Sequence, residues 1–315
     1  MNKQGKKWIC KEIWLFLVIL TASVNLYGQE RFAVKNPEGC TLVYSTLPYT
    51  EEEKLNGTPQ SVCLEGPENR TYKHSQMTIP GEVTWNGKRY RVKCIRSFSF
   101  NRIKTSVLKR IIISEGTDSV GQNCFSEIKS LEQVILPVSL RYISYSMFDG
   151  CTNLKEVVIP ENSQLESIGS FAFMDCSQLT YFNIPEKVVN IGEGPWRNCT
   201  MLSSINVAIQ NKNFESLDGI LYTKGRKQLI QYPIGKTEDT FVVPENVEEI
   251  GNSAFWGGKF LKTIYTPLCL KSIQHIAFKK CISLTDIYLP DNLAFIGNGA
   301  FWDCGNLKKV ITTVH

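Results

Sequence analysis

Leucine recurs at nearly constant intervals along most of the chain. The interval is 23 residues at five steps, 25 residues at one step and 59 residues at one step, and the positions are Leu108, Leu131, Leu154, Leu179, Leu202, Leu261, Leu284 and Leu307. A fixed period in this range is typical of a solenoid, in which each turn buries its apolar face only against the neighbouring turns. The pattern therefore predicts one elongated repeat body rather than several compact domains.

Within each repeat the hydrophobic positions predict a short strand, an apolar pair at the back of the coil and a turn. The V-x-I-P part predicts a short strand with its branched residues inward, which proline ends because it has no N–H to donate. An apolar pair three residues apart, such as Leu140 and Ile143, closes the back of the coil. We expect the glycines that follow, at 169, 192, 251 and 297, to adopt positive φ. The next segment, Ala-Phe in most repeats, is expected to form one helical turn.

These motifs together point to a known repeat family. The unit I-P-x-x-hydrophobic-x-x-I-G-x-x-A-F-x-x-C-x-x-L resembles the BspA type of leucine-rich repeat, from about Met77 to the end of the chain. The resemblance implies a right-handed coil, mostly β with short helical or 3-10 turns, whose parallel strands line a concave sheet. The segments VTWNGKRYRVKCI at 83–95 and FESLDGILYTKGRKQLIQYP at 214–233 resemble the family's entry hairpin and inserted hairpin.

The chain divides into three predicted segments. Residues 1–28 resemble a cleavable signal peptide, because four lysines precede an apolar run at 13–22 that is shorter than the roughly 20 residues of a membrane span. Residues 29–77 form a pre-repeat segment, and 78–315 form the solenoid with an inserted hairpin at about 209–240. We therefore expect a secreted or cell-envelope protein, extracellular or periplasmic, without a transmembrane segment.

Charge and catalytic motifs exclude more than they identify. Loss of the leader removes four lysines and one glutamate, so the formal charge falls from +5 to +2, and nucleic acid is not an expected partner. The three histidines, His74, His275 and His315, belong to no nucleophile, base or metal motif. We expect a non-enzymatic protein that needs no cofactor and no metal.

The cysteines have two interpretations. An exported chain suggests a disulfide framework, but five cysteines recur three residues after the aromatic of the repeat, where a small buried side chain is wanted. We expect this cysteine column to be packed free thiols, and its members are Cys151, Cys176, Cys199, Cys281 and Cys304. Outside the column, Cys40 and Cys63 are candidates for a disulfide, with the free and bridged states left open.

A partner is expected on the concave sheet, because the residues between the inward positions of each strand face outward. The candidate binding residues are Ile112, Ile135, Val158, Asn183, Asn206, Val242, Tyr265 and Tyr288 in a central column, with Tyr181 beside it. Contiguous apolar and aromatic surface usually marks an interaction site. The alternative is that branched and aromatic residues occur there only because they favour strands.

A second candidate surface is basic. Residues 88–110 carry nine basic residues and no acidic one, and the proposed polyanion patch is Lys88, Arg89, Arg91, Lys93, Arg96, Arg102 and Lys104. Such a patch would suit sulfated glycan, lipid A headgroups or an acidic protein. The alternative is a solvated edge of the cap without a ligand.

The family resemblance implies adhesion to host extracellular proteins or to other bacteria, so a protein is the first expected partner. Two alternatives remain, a glycan-binding module that uses exposed tyrosines and a scaffold for assembly at the envelope. The segment LKKVITTVH begins a new strand, and an uncovered strand edge invites pairing with another chain. Leu307 to Val314 are therefore a candidate edge for a dimer.

Overall fold

The computed structural model is a β-solenoid of about 10 turns with almost no helix, as expected for a leucine-rich repeat coil. It describes residues 29–313, so the predicted signal peptide and Val314 lie outside the described residues. Strands of successive turns stack in parallel into a concave sheet and a back sheet. A turn face, which runs from the repeat glycine to the repeat cysteine, closes each coil.

A small sheet precedes the repeats, with strand order β1-β2-β3-β6-β5. Its β5–β6 hairpin turns at Asn86 and Gly87, which both have positive φ. One short helix begins at a capping box formed by Thr50 and Glu53. The elements are β1 (Arg31–Lys35), β2 (Thr41–Thr46), α1 (Glu51–Leu55), β3 (Ser61–Pro67), β4 (Gln76–Ile79), β5 (Glu82–Trp85) and β6 (Lys88–Ile95). Strand β4 pairs with the first repeat strand and so begins the concave sheet.

Each repeat before the insertion contributes one strand to the concave sheet and then one strand to the back sheet. The concave sheet receives β7 (Arg110–Ile113), β9 (Gln133–Ile135), β11 (Glu156–Val158), β13 (Tyr181–Ile184) and β15 (Ser204–Val207). The back sheet receives β8 (Ser119–Val120), β10 (Tyr142–Ile143), β12 (Ser167–Ile168) and β14 (Asn190–Ile191). All pairings between these repeat strands are parallel and in register, as the repeat requires.

Three antiparallel strands interrupt the repeats, namely β16 (Phe214–Leu217), β17 (Ile220–Thr223) and β18 (Gln228–Gln231). Strand β18 then pairs in parallel with the next back strand, so it takes the place of a back strand in its own turn. The concave sheet resumes with β19 (Thr240–Val242), β21 (Thr263–Tyr265), β23 (Asp286–Pro290) and β25 (Lys309–Thr313). The back sheet resumes with β20 (Glu249–Ile250), β22 (Ser272–Ile273) and β24 (Phe295–Ile296).

The core is a stack of aromatic rings, one from each turn. The rings of Phe125, Phe148 and Phe173 stack at centroid distances of 5.6 and 5.5 Å. Phe255 and Phe278 stack at 4.7 Å after the insertion. The apolar core divides into two clusters that meet at β17, where Leu221 belongs to the first cluster and its neighbours Ile220 and Tyr222 belong to the second.

The segment expected to be a helical turn is a series of open turns. Residues four apart adopt positive φ, for example Phe171 at 57° and Asp175 at 59°, and a right-handed helix does not tolerate this. Alternate N–H groups instead donate to the next turn of the solenoid, as Phe148 does to the Ala172 carbonyl at 2.8 Å. The turn face is thus a third hydrogen-bonded ladder.

The cysteine column lies inside this face as free thiols, four of them buried and Cys304 partly exposed. Each thiol donates to the carbonyl of the core aromatic one turn earlier, for example Cys176 to Phe148 at 3.2 Å. The other pairs are Cys151 to Phe125, Cys199 to Phe173, Cys281 to Phe255 and Cys304 to Phe278. Burial raises the pKa of the Cys151 thiol to about 12, so this thiol stays protonated. Cysteine therefore supplies a small side chain that also satisfies a buried carbonyl.

One disulfide joins the pre-repeat sheet to the entry hairpin. Cys63 pairs with Cys94 and not with Cys40, which is a free thiol. Strands β3 and β6 are adjacent and place the two Cα atoms 4.6 Å apart. The candidate Cys40–Cys63 disulfide is therefore wrong. The spacing of cysteines along the chain does not reveal that β3 pairs with β6.

The repeat glycines serve close packing and not positive φ. Gly169, Gly192, Gly251 and Gly297 are absent from the residues with positive φ, which corrects the expectation. A Cβ atom at Gly169 would lie 2.7 Å from the Ser144 carbonyl carbon and the Tyr145 nitrogen of the preceding turn. Glycine is required there because the backbones of adjacent turns touch.

Replacement of Gly169 by alanine should therefore destabilise the solenoid by about 2–3 kcal/mol, since the added methyl group meets backbone atoms that cannot move aside. Gly305→Ala is the matched control, because a Cβ there meets nothing within 4 Å. Urea unfolding of both variants checks this. Equal midpoints for the two variants would show that the close packing is not limiting.

The carboxylate of Asp149 on the turn face is destabilising at neutral pH. Partial burial is the main cause that raises its pKa to about 6, and the nearby Asp175 and Glu127 add to the shift. A folded-state pKa above the usual 3.8 means that the folded protein binds this proton more tightly than the unfolded chain. Stability is therefore lost as pH rises from about 4 to about 6.

We expect Asp149→Asn to stabilise the protein by about 1 kcal/mol at pH 7.5, a figure discounted for the solvent exposure of the carboxyl. At pH 4 the two proteins should be nearly equal, because Asp149 is then largely protonated. Thermal unfolding at both pH values measures the difference. A stabilisation that is the same at both pH values would rule out titration of Asp149 as its cause.

Candidate interaction surface

The strands of the concave sheet alternate buried and outward side chains. In β7, Ile111 and Ile113 are buried whereas Ile112 is half-buried and faces outward. Ile135 and Val158 occupy the same outward position in the next two turns. The structure therefore aligns the predicted central column, but the side chains of its first three members are half-buried.

Polar contacts hold the middle of the column. The Tyr181 hydroxyl donates to Glu156 at 3.3 Å, and Gln133 donates to the other oxygen of the same carboxylate. Partial burial raises the pKa of Tyr181, and Glu156 adds to the shift. Asn206 donates to Asn183 at 2.9 Å, which links two exposed amides across β13 and β15. These side chains are linked to one another by hydrogen bonds within the chain.

The insertion separates the two parts of the surface. The Ile205 N–H of β15 donates to the Gly219 carbonyl at 2.8 Å, and the Ser216 hydroxyl donates to the Ile205 carbonyl at 2.6 Å. The β16–β17 hairpin therefore lies against β15, where the next concave strand would otherwise pair. A partner that uses the whole predicted column would have to cross this hairpin.

The second part carries the most exposed apolar and aromatic surface of the column. The side chain of Val242 is 66% exposed and that of Tyr265 is 40% exposed. The rings of Tyr265 and Tyr288 stack with centroids 4.4 Å apart and an interplanar angle of 19°. The electrostatic influence of Tyr288 is the main cause that raises the pKa of Tyr265 above its usual value. We call Val242, Tyr265 and Tyr288 the tyrosine strip.

The basic residues of 88–110 do not form one free patch. Arg89 lies 3.8 Å from Glu82, and Arg96 lies 3.7 Å from Glu65. Strand β6 carries Lys88, Arg91 and Lys93. Arg102 and Lys104 lie instead in the connection between β6 and β7. Glutamates from β3 and β5 thus offset part of the charge, which the basic run alone did not reveal. A polyanion site remains a prediction.

The last described strand has one free edge. Strand β25 pairs with β23, and no other strand of residues 29–313 pairs with its far side. Val310 on this strand is 56% exposed. Pairing of Leu307 to Val314 with a second chain stays a prediction, and Val314 itself lies outside the described residues.

One group of side chains on the turn face was missed by the sequence analysis. Cations and aromatic rings alternate along the position that follows the core aromatic, at Arg197, Trp256, Lys279 and Trp302. The signal was a single column of the repeat alignment, in which the corresponding earlier residues are Ser126, Asp149 and Met174. The change from small or acidic residues to cations and tryptophans along this column of the alignment could have indicated the group.

The described residues hold neither a membrane-spanning helix nor a metal cluster. No helix within 29–313 is long and apolar enough to cross a membrane. In the same range, no three His, Cys, Asp or Glu side chains are grouped so that they could hold a metal ion.

Comparison with known proteins gives the family. A family model for the BspA type leucine-rich repeat region matches six copies over residues 92–217 and 236–314. The solved structure of the pneumococcal vaccine antigen PcpA is 22% identical with a TM-score of 0.68, and the match covers 88% of this chain and 80% of that chain. A leucine-rich repeat protein from Eubacterium ventriosum is 20% identical with a TM-score of 0.61, over 90% of this chain and 73% of that one.

Both structures share the fold of this chain, and no curated protein matches it. The family model matches well over half of the chain. Leucine-rich repeat proteins generally bind other proteins, and surface antigens of the BspA type are typically extracellular or attached to the cell envelope. The chain belongs to the BspA-type leucine-rich repeat family.

Proposed function

We propose that this protein is a secreted or surface-associated, non-enzymatic binding protein that holds a partner protein on its concave sheet. The observation that carries the proposal is the tyrosine strip, in which two stacked rings and an exposed valine lie on adjacent strands of one rigid sheet. Tyrosines that are fixed before binding lose little conformational entropy, and tyrosine is enriched at the energetic centres of interfaces.

The leader-like residues 1–28 support export, and the family supports adhesion to host extracellular proteins as the biological role. A protein partner fits the geometry better than a glycan does. A sugar ring stacks on an open aromatic face, whereas Tyr265 and Tyr288 cover one face of each other. An assembly scaffold at the envelope would need no such exposed strip.

The direct test is the double variant Tyr265→Ala/Tyr288→Ala. We expect it to weaken binding to a host matrix or plasma protein by about tenfold or more, because loss of a central tyrosine typically costs about 2 kcal/mol. Surface plasmon resonance against a panel of purified matrix and plasma proteins identifies the ligand and measures the affinity. Thermal unfolding should be nearly unchanged, since both side chains are outward.

Tyr142→Ala is the matched control, because Tyr142 is 43% exposed but lies on the back sheet. Equal loss of affinity in this control and in the double variant would contradict binding at the concave sheet. A glycan array with the same proteins separates the glycan alternative, in which the double variant loses sugar binding and no protein of the panel binds.

A further inference from the structure

The turn face after the insertion carries a stack of alternating cations and aromatic rings. The Arg197 guanidinium lies 4.1 Å from the centre of the Trp256 ring, and the Lys279 ammonium lies 4.7 Å from it on the next turn. Lys279 also lies 3.9 Å from the centre of the Trp302 ring. Because Arg197 comes from an earlier turn and Lys279 from a later one, the two cations cover opposite faces of Trp256.

Exposed apolar side chains surround this stack. The exposed fraction is 60% for Trp302, 52% for Ile282 and 42% for Phe260. The positions that correspond to Ile282 in the first four repeats are all polar, namely Lys129, Thr152, Ser177 and Thr200. At the repeat position of Phe260, the turn before the insertion carries Met201, which is 47% exposed, so exposed apolar side chains begin just before the insertion.

Three lysines of this region have no carboxylate within ion-pair distance among the described residues. At the border of the concave sheet, Lys109 and Lys155 both pair with Glu132. In contrast, Lys259, Lys279 and Lys280 form no ion pair with any described residue between 29 and 313. Three uncompensated ammonium groups beside exposed tryptophan, phenylalanine and isoleucine make a cationic, interfacial surface. We call Phe260, Ile282, Trp302, Lys259, Lys279 and Lys280 the interfacial patch.

We propose that the interfacial patch binds an anionic lipid surface. Aromatic and aliphatic side chains gain free energy at the boundary between headgroups and acyl chains, while adjacent lysines are attracted to the lipid phosphates. Trp302, Ile282 and Phe260 would enter this boundary, with the three lysines at the phosphates. The patch spans the end of the turn face and the loop that follows it, whereas the tyrosine strip lies on the concave sheet.

The geometry favours a lipid over an anionic glycan. A pyranose ring would need an open aromatic face, but both faces of Trp256 are covered by cations. Ile282 and Phe260 have no partner on a sugar chain, whereas they fit the acyl boundary of a bilayer. The unpaired lysines suit either ligand, so the apolar residues decide between the two.

Vesicle binding tests the proposal. The protein from residue 29 onward, which excludes the apolar run at 13–22, is mixed with vesicles of equal parts phosphatidylglycerol and phosphatidylcholine or of phosphatidylcholine alone. We expect co-sedimentation with the anionic vesicles only and weakening by high salt. Trp302→Ser/Ile282→Ser and Lys279→Gln/Lys280→Gln should each lower the partition coefficient by about tenfold.

Leu268→Ser and Lys187→Gln are the matched controls, since Leu268 is 54% exposed and Lys187 is exposed elsewhere on the coil. They should bind like the wild type. Absence of binding to anionic vesicles, or equal binding by the patch variants, would overturn the proposal. So would binding of a heparin octasaccharide that the lysine variant loses and the Trp302→Ser/Ile282→Ser variant keeps. Thermal unfolding of each variant verifies that it is folded.

Discussion

The hydrogen bonds between successive turns are the constraint on which the rest of the structure depends. They run along the concave sheet, the back sheet and the turn face, so most turns are fixed to their neighbours on three sides. Such bonding requires equivalent residues to face each other, and this sets the constant repeat length. At the one step of 25 residues the extra residues lie in the loop at 160–165 between β11 and β12, where the Ser163 N–H donates to the Pro160 carbonyl. At this step β11 and β13 belong to separate sheets, while the back strands and the turn face remain paired.

The uniform backbone leaves the outward side chains free to differ. On the concave sheet they change from half-buried isoleucines to linked amides and then to the stacked tyrosines. On the turn face they change from the carboxylates around Asp149 to the cations and tryptophans after the insertion. The inserted hairpin lies near both changes, so it divides the coil into two parts with different surface chemistry. Fold and surface chemistry are thus specified by separate sets of residues.

The parts of the structure that repeat were predictable from the sequence, and the parts that depend on a single contact were not. The leucines, prolines and core aromatics predicted the parallel coil because their positions recur in every turn. The pairing of Cys63 with Cys94 was missed, since it depends on which strands of the irregular pre-repeat sheet are neighbours. The role of Gly169 was misjudged because the distance between adjacent backbones is not encoded in the pattern of one turn. The sequence located the tyrosine strip, whereas the ring stacking and the blocking hairpin required coordinates.

The central functional claim is that a partner protein lies on the tyrosine strip. A photoreactive benzoylphenylalanine placed at Val242, which is 66% exposed beside Tyr265, tests it most directly. With the matrix or plasma protein that binds, the account predicts a covalent cross-link from position 242 and none from the same residue at Tyr142 on the back sheet. A cross-link from 142 and none from 242 would contradict it.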